Sequence, residues 1–281
     1  MRYYKKIKAT IFGIINELLW LRQSNSLSKS FSGYCKHIPS ALDYKRILII
    51  VPHADDELVG CFNLIKQNKE SVNLFYLGLT GANCEQKNKT IRQGEFESLC
   101  KNINVKCVIS EGEIIFELTE FISVYSPDLI LLPSYIDWHK EHRDAHYYVE
   151  RAMENMSQTP QIGLYKISMP LVNNQIDYII KMNKFDQYEK WETFEKYYKS
   201  QSNIPQARFR YEERLYGLLV DGYAAEIFSI LNYNDWKRNI NKIREPLLEE
   251  RIKKLKQFIN NIELKYKKVG EIVESLENRS E

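Results

Sequence analysis

The sequence predicts an α/β fold: a Rossmann-like, mostly parallel sheet with helices on both faces, carrying a helical extension at each end. Two observations predict it. Short, continuous apolar runs recur along the chain, in "RILIIV" (46–51), "VNLFYLGLT" (72–80), "VKCVIS" (105–110) and "PDLILLPS" (127–134). Runs of this kind suit strands buried on both faces. Helical patterns fall between them, at roughly 57–68, 88–102 and 113–124, and strands alternating with helices argue for a parallel sheet.

The chain of 281 residues suffices for one large domain with extensions. Residues 1–23 start basic, and Ile7, Ile11, Ile14, Leu18 and Leu21 then step by four and three. That spacing reads as an amphipathic helix. Asn16 and Glu17 interrupt its apolar run, no small-residue cleavage site follows, and the segment is too short and polar to span a bilayer. Three fates are open to it: packing on its own domain, pairing with another helix, or peripheral contact with a membrane surface.

Residues 24–45 are rich in Ser and turn formers and read as a linker. The main domain is placed at 46–244. Within it "IGLYKISMP" reads as a further strand and "QIDYIIKM" as an edge strand. "KWETFEKYYKSQ" and "YEERLYGLLVDGYAAEIFSIL" read as helical or mixed. Residues 245–281 read as one helix, with Leu248, Ile252, Leu255, Ile259, Ile262, Tyr266, Val269 and Val273 forming a heptad seam. The seam predicts packing against the N-terminal helix, or a homo-oligomer through 246–275.

Composition excludes several classes. A net charge of +3 without a basic block argues against nucleic acid. Five cysteines, Cys35, Cys61, Cys84, Cys100 and Cys107, with no CxxC spacing, argue against a disulfide framework and a cysteine zinc site. Free thiols imply a reducing, cytoplasmic setting, at the inner face of the membrane if the N-terminal helix makes contact there. The Lys-, Asn-, Ile- and Tyr-rich composition suggests a bacterial source.

The chemistry is concentrated in "PHADDE", directly after the first strand. Ligands of open α/β sheets bind beyond the carboxyl ends of the strands. Four polar side chains there, His53, Asp55, Asp56 and Glu57, are costly to bury without partners. Caps and a first-turn helix dipole account for one or two of them. A divalent ion accounts for more, because His53 and Asp56 can reach one ion across a tight turn. A third ligand should come from another strand end. "PDLILLPS" leads into "YIDWHKEHRDAH", which holds His139, His142 and His146, three of the five histidines. Started near Asp137, a helix would place them in one sector bordering its apolar stripe. His and Asp with one distant His make a catalytic zinc pattern with an open position for water. Asp55 stands between the ligands, where it can accept that water's proton, and a spare histidine can protonate an amine or steady an oxyanion.

"PHADDE", followed after a "PDLILLP" strand by "HKEHRDAH", resembles the PIG-L/LmbE-like family of zinc-dependent N-deacetylases. The resemblance spans about residues 46–230. It implies His53, Asp56 and His142 as zinc ligands, Asp55 as general base, and His139 as the acid or oxyanion-stabilising histidine. An "RxxE" element is matched by Arg92 and Glu95, with the arginine facing substrate. Ser200 with Gln201, and Glu226 with Phe228, match weaker elements. Glu57, Glu95 and His146 enter as supporting residues. Ala54 replaces the usual proline, Lys140 and Glu141 stand where Pro and Asp are common, and Trp138 precedes His139 where some members place a tyrosine; none removes a ligand. The resemblance implies removal of an N-acetyl group from an N-acetylglucosamine-type glycolipid, nucleotide-sugar or glycoside. Two other enzymes would use the same residues differently: an amidase on a sugar–thiol conjugate, and a magnesium phosphohydrolase on Asp55, Asp56 and Glu57. A non-catalytic scaffold is the reading outside enzymes.

Overall fold

The computed structural model describes residues 2–32, 43–80, 86–156, 159–201 and 204–277. The sheet has seven strands in the order β3-β2-β1-β4-β5-β7-β6. These are β1 (Ile47–Val51), β2 (Val72–Tyr76), β3 (Lys106–Ile109), β4 (Leu129–Pro133), β5 (Gln161–Tyr165), β6 (Tyr178–Met182) and β7 (Ala224–Leu231). Strands β1 to β5 pair in parallel, while β7 runs antiparallel to both β5 and β6. The predicted mostly parallel sheet is therefore observed. The strand missed in the sequence is β7, which lies inside a stretch that read as helical or mixed. There the helix α7 (Gln206–Gly217) ends, and "AAEIFSIL" enters the sheet between β5 and the edge strand β6.

Strand β1 shows why the apolar runs are continuous. Leu48 and Ile50 point into one core, and Ile47, Ile49 and Val51 into the other. The second core is covered by α2 (Asp56–Gln67), α3 (Gln86–Ile103) and α6 (Lys184–Tyr197), through Leu58, Phe62, Phe96, Leu99 and Trp191. The first is covered by α4 (Ile114–Tyr125), α5 (Lys140–Ala152), α8 (Tyr233–Ile243) and the terminal helices, through Ile122, Val149, Trp236 and Val269. Gly60 in α2 has a packing reason. A Cβ there would stand 2.4 Å from the Tyr165 ring, whose hydroxyl donates to the Ile50 carbonyl at 2.7 Å.

The terminal regions depart from the predicted boundaries. Helix α1 runs over Arg2–Phe31, so residues 24–31, expected in the linker, are helical. Residues 33–42 of that expected linker, with Cys35, and Cys84 lie outside the described residues. Cys61, Cys100 and Cys107 are free. The expected single C-terminal helix is divided into α9 (Pro246–Lys254), a 3-10 turn (Leu255–Phe258) and α10 (Ile262–Glu277). Asn261 breaks it, with its side chain accepting from Leu264 N at 3.0 Å as a helix cap. The heptad seam is not left open. Leu248, Ile252, Leu255, Ile262, Tyr266, Val269 and Val273 are all buried within the chain, and α10 packs on α1. The seam packs within the chain, the first of the two fates its spacing predicts.

The order of the strands places the site. From β1 the chain builds outward through β2 to β3, then returns to the other side of β1 with β4. The carboxyl ends of β1 and β4 flank this reversal, where open α/β sheets form their ligand crevice.

Candidate metal centre

His53, Asp55, Asp56 and Glu57 leave β1 at the start of α2, and His139 and His142 leave β4 at the start of α5. Helix α5 begins at Lys140, with His139 as its cap residue. The two loops meet. His53 Nδ1 lies 3.1 Å from His142 Nε2 and 3.2 Å from Asp56 Oδ2. His142 Nε2 lies 3.4 Å from Asp56 Oδ1. A tetrahedral ion with bonds of about 2.0–2.1 Å needs donor atoms about 3.3–3.4 Å apart. The two ring nitrogens lie near that spacing, and the Asp56 carboxylate meets each ring through a different oxygen.

The outward nitrogens of the same two rings are also engaged. His53 Nε2 is 2.6 Å from Glu141 Oε2, and His142 Nδ1 is 3.1 Å from Asp137 Oδ2. A carboxylate stands beside the outward nitrogen of each ring, hydrogen-bonded to His53 and at ion-pair distance from His142, the placement found behind metal-bound histidines. Two ring nitrogens and a carboxylate converge, an arrangement that favours a cation, whether protons on the rings or a metal ion. The electrostatics agree. Burial opposes charge on His53, yet Asp56 and Glu141 outweigh it and raise its pKa to about 9. His142 is raised well above the usual value against the same penalty, by Asp56 and Asp137. Asp56 is buried, yet His142 and His53 hold it far below the usual carboxylate range.

Asp55 sits at the mouth of α2 with φ 131°, a backbone conformation that strains any residue with a side chain. Its amide donates to Glu57 Oε2 at 3.3 Å, and its carbonyl accepts from Leu58 N and Val59 N. Glu57 is fully buried and also accepts from the Tyr198 hydroxyl. Glu57 thus braces the strained turn that aims Asp55. Burial and the neighbouring Asp56 raise the Asp55 pKa, while His53 and Arg92 oppose the rise. Burial pushes Glu57 up to about 7, against the Tyr198 hydroxyl and backbone amides.

His139 has its ring centre 4.7 Å from that of His53 and 4.9 Å from that of His142. Burial, then the charges of His142 and His53, lower its pKa to about 4. Its Nδ1 is buried with no hydrogen-bond partner among the described residues. His53, His139 and His142 place ligand atoms within 4.8 Å of one another, so His139 stands next to the tighter His53–Asp56–His142 set, with one ring nitrogen uncommitted.

These residues line one wall of a cleft of about 420 Å³. Arg92, Ser200, Gln201 and Arg208 line it too. Glu95 does not; it accepts from Ser200 N at 2.9 Å and Ser200 Oγ at 2.5 Å, fastening the cleft-side turn to α3. His146 is the expected site residue that the fold takes elsewhere. Its Nε2 meets the Pro133 carbonyl at 2.8 Å and its Nδ1 accepts from the Trp236 indole at 2.9 Å. One helical turn past His142, it faces α8 and joins β4 to that helix. Glu226 is likewise structural. It accepts from Asn63 N, Leu64 N and Lys190 Nζ, anchoring α2 beneath the site.

Sequence reasoning missed Asp137, Glu141 and Arg208. Asp137 is buried, accepts from His139 N and Ser168 N, and so ties the histidine loop to the chain beyond β5. The signal available for it was its place two residues before His139 at the end of a buried strand. Arg208 carried no such signal, since α7 approaches the cleft only through the tertiary fold.

No protein-family model matches the chain, and no curated protein matches it. Solved structures share its fold. The N,N'-diacetylchitobiose deacetylase from Pyrococcus horikoshii, complexed with its inhibitor, superposes with TM-score 0.54 at 19% identity, over 74% of this chain and 91% of that one. A teicoplanin deacetylase in its zinc-inhibited form gives TM-score 0.50 at 13% identity, over 68% and 99%. The 4-carboxy-2-hydroxymuconate hydratase from Pseudomonas putida gives TM-score 0.50 at 14% identity, over 67% and 96%. The chain therefore has the fold of these enzymes, a fold that carries more than one reaction. Among the described residues no helix is long and apolar enough to cross a membrane.

Proposed function

We propose that the protein is a zinc-dependent hydrolase that removes an N-acetyl group from an N-acetylglucosamine-type substrate. The observation that carries the reading is the convergence of His53 Nδ1, His142 Nε2 and the Asp56 carboxylate at 3.1–3.4 Å, with carboxylates behind both rings. Two imidazoles and one carboxylate suit zinc, whereas magnesium prefers oxygen donors, which argues against the phosphohydrolase. Fold neighbours that include sugar and glycopeptide deacetylases support the choice of amide hydrolysis.

A divalent ion held by His53, Asp56 and His142 supplies Lewis acidity to a water and to the amide carbonyl. The chain's own residues do the rest. Asp55, aimed by the strained turn, takes the water's proton on its carboxylate. His139, neutral at pH 7, donates a hydrogen bond to the developing oxyanion, and the proton that Asp55 took from the water passes to the departing amine. Attack by the water oxygen forms the new C–O bond as the C–N bond breaks, leaving acetate and a free amine. Arg92 holds a sugar hydroxyl or phosphate at the cleft wall.

The test is acetate release from a panel of nucleotide-linked, lipid-linked and simple glycosides of N-acetylglucosamine. Zinc and other divalent ions are titrated from below one equivalent upward, because a neighbour with this fold exists in a zinc-inhibited form. Ion-dependent acetate release from at least one amino sugar is expected. Absence of release across the panel at every ion level contradicts the reading.

A further inference from the structure

Helix α1 has two apolar faces, and the fold uses one. Trp20, Leu27 and Phe31 turn inward with Ser24 and pack on the first core. Trp20 Nε1 donates to the Asn260 carbonyl at 3.0 Å, and Gln23 Oε1 accepts from Ile262 N at 2.9 Å. At 3.6 residues per turn, Ile15 and Leu18 fall on the opposite side of the helix, with Ile14, Leu19 and Leu21 flanking them. They are exposed, Leu18 at 62% and Ile14 at 55%. Scattered apolar residues on a surface need no explanation, but a contiguous stripe of five large ones marks an interaction site.

The charge of the segment says what covers it. Residues 1–32 hold Arg2, Lys5, Lys6, Lys8, Arg22 and Lys29 against the single acid Glu17. Glu17 is placed against Tyr211 of α7, on the inward side. A second copy of so basic a helix would be repelled. An anionic surface would be attracted, and an apolar stripe on a basic helix is the form that lies in the bilayer interface without crossing it. We infer that the outward face of α1 docks onto anionic lipid, with Ile14, Ile15, Leu18, Leu19 and Leu21 entering the headgroup–acyl boundary.

Docking would carry the cleft with it. The turn that holds α1 through Asn260 and Ile262 also supplies Ile259 to the cleft wall, and the Ile259 carbonyl accepts from Arg208 at 2.9 Å. The inference stands apart from the proposed reaction, since it concerns only where the protein sits.

The full chain is tested by flotation with vesicles of phosphatidylcholine alone and of phosphatidylcholine mixed with phosphatidylglycerol. Binding to the mixed vesicles, weakened by added salt, is expected. Leu18→Glu is expected to reduce it about tenfold or more, while Val124→Glu, at another exposed apolar site on α4, leaves it unchanged. A circular dichroism melt keeps loss of fold apart from loss of docking. Absence of binding to the mixed vesicles, or equal binding by a folded Leu18→Glu variant, overturns the inference. So does a lipid-free dimer that Leu18→Glu converts to monomer, because a second copy would then cover the stripe.

Discussion

His53 Nδ1 and His142 Nε2 stand 3.1 Å apart although the residues are 89 positions apart in the chain. Each ring has a carboxylate on its far nitrogen, Glu141 behind His53 and Asp137 behind His142. A histidine that merely fills a core looks different. His146 spends both nitrogens on a carbonyl and an indole and faces no other titratable side chain through them.

Glu141 is the cleaner of the two carboxylates to change, because Asp137 also holds backbone amides. Glu141→Gln keeps the shape and removes the charge that fixes the His53 proton. Zinc affinity is expected to fall about 10- to 100-fold, measured by competition with a chromophoric chelator. Unchanged affinity would mean that Glu141 does not orient His53.

Asp55 is aimed at a cost. Its φ of 131° is open to glycine without strain. Asp55→Gly is expected to stabilise the metal-free protein by about 1–3 kcal/mol and to abolish turnover. Thermal melts and acetate assays check the two halves. A variant that loses activity with no rise in Tm would show that the turn is not strained.

Glu57 gives a pH signature. Its folded pKa, pushed up by burial to about 7 from 4.5, lies above its unfolded value. The folded state then holds the proton longer than the unfolded chain. This contribution to stability is fully present below pH 4.5 and is lost as pH rises through 7, by about 3 kcal/mol in all. Glu57→Gln is expected to flatten that part of the stability profile of the metal-free protein. Urea midpoints from pH 4.5 to 8 measure it; an unaltered slope would contradict the assignment.

Lys190 lies fully buried between Glu213 at 2.8 Å and Glu226 at 2.9 Å, and donates to the Val59 carbonyl at 2.8 Å. Lys190→Met leaves two buried carboxylates without their cation, which is expected to cost about 3–5 kcal/mol. Chemical denaturation reads the loss directly. A cost under about 1 kcal/mol would place water or another cation in the gap.

The parallel sheet was legible because strands buried on both faces leave unbroken apolar runs, and β1 and β4 leave the plainest. Strand β7 was not, since Glu226 and the small residues of "AAEIFSIL" interrupt that signal, and Glu226 acquires its partners only from α2 and α6. At the site, His53, Asp55, Asp56, His139 and His142 were legible as clusters after strands. Asp137 and Glu141 stood in plain view beside them, but nothing in one dimension says which nitrogen of a histidine needs a carboxylate. His146 shares the spacing of His142, and only the position of Trp236 on α8 shows that it faces elsewhere.

In the proposed reaction His53, Asp56 and His142 hold the ion, while Asp55 works on the water without holding it. Zinc per chain and acetate release are measured side by side on Asp55→Asn and His142→Ala. Asp55→Asn is expected to keep one zinc and lose turnover, while His142→Ala loses both. A fully active Asp55→Asn, or a His142→Ala variant that still retains one tightly bound zinc, would contradict these roles.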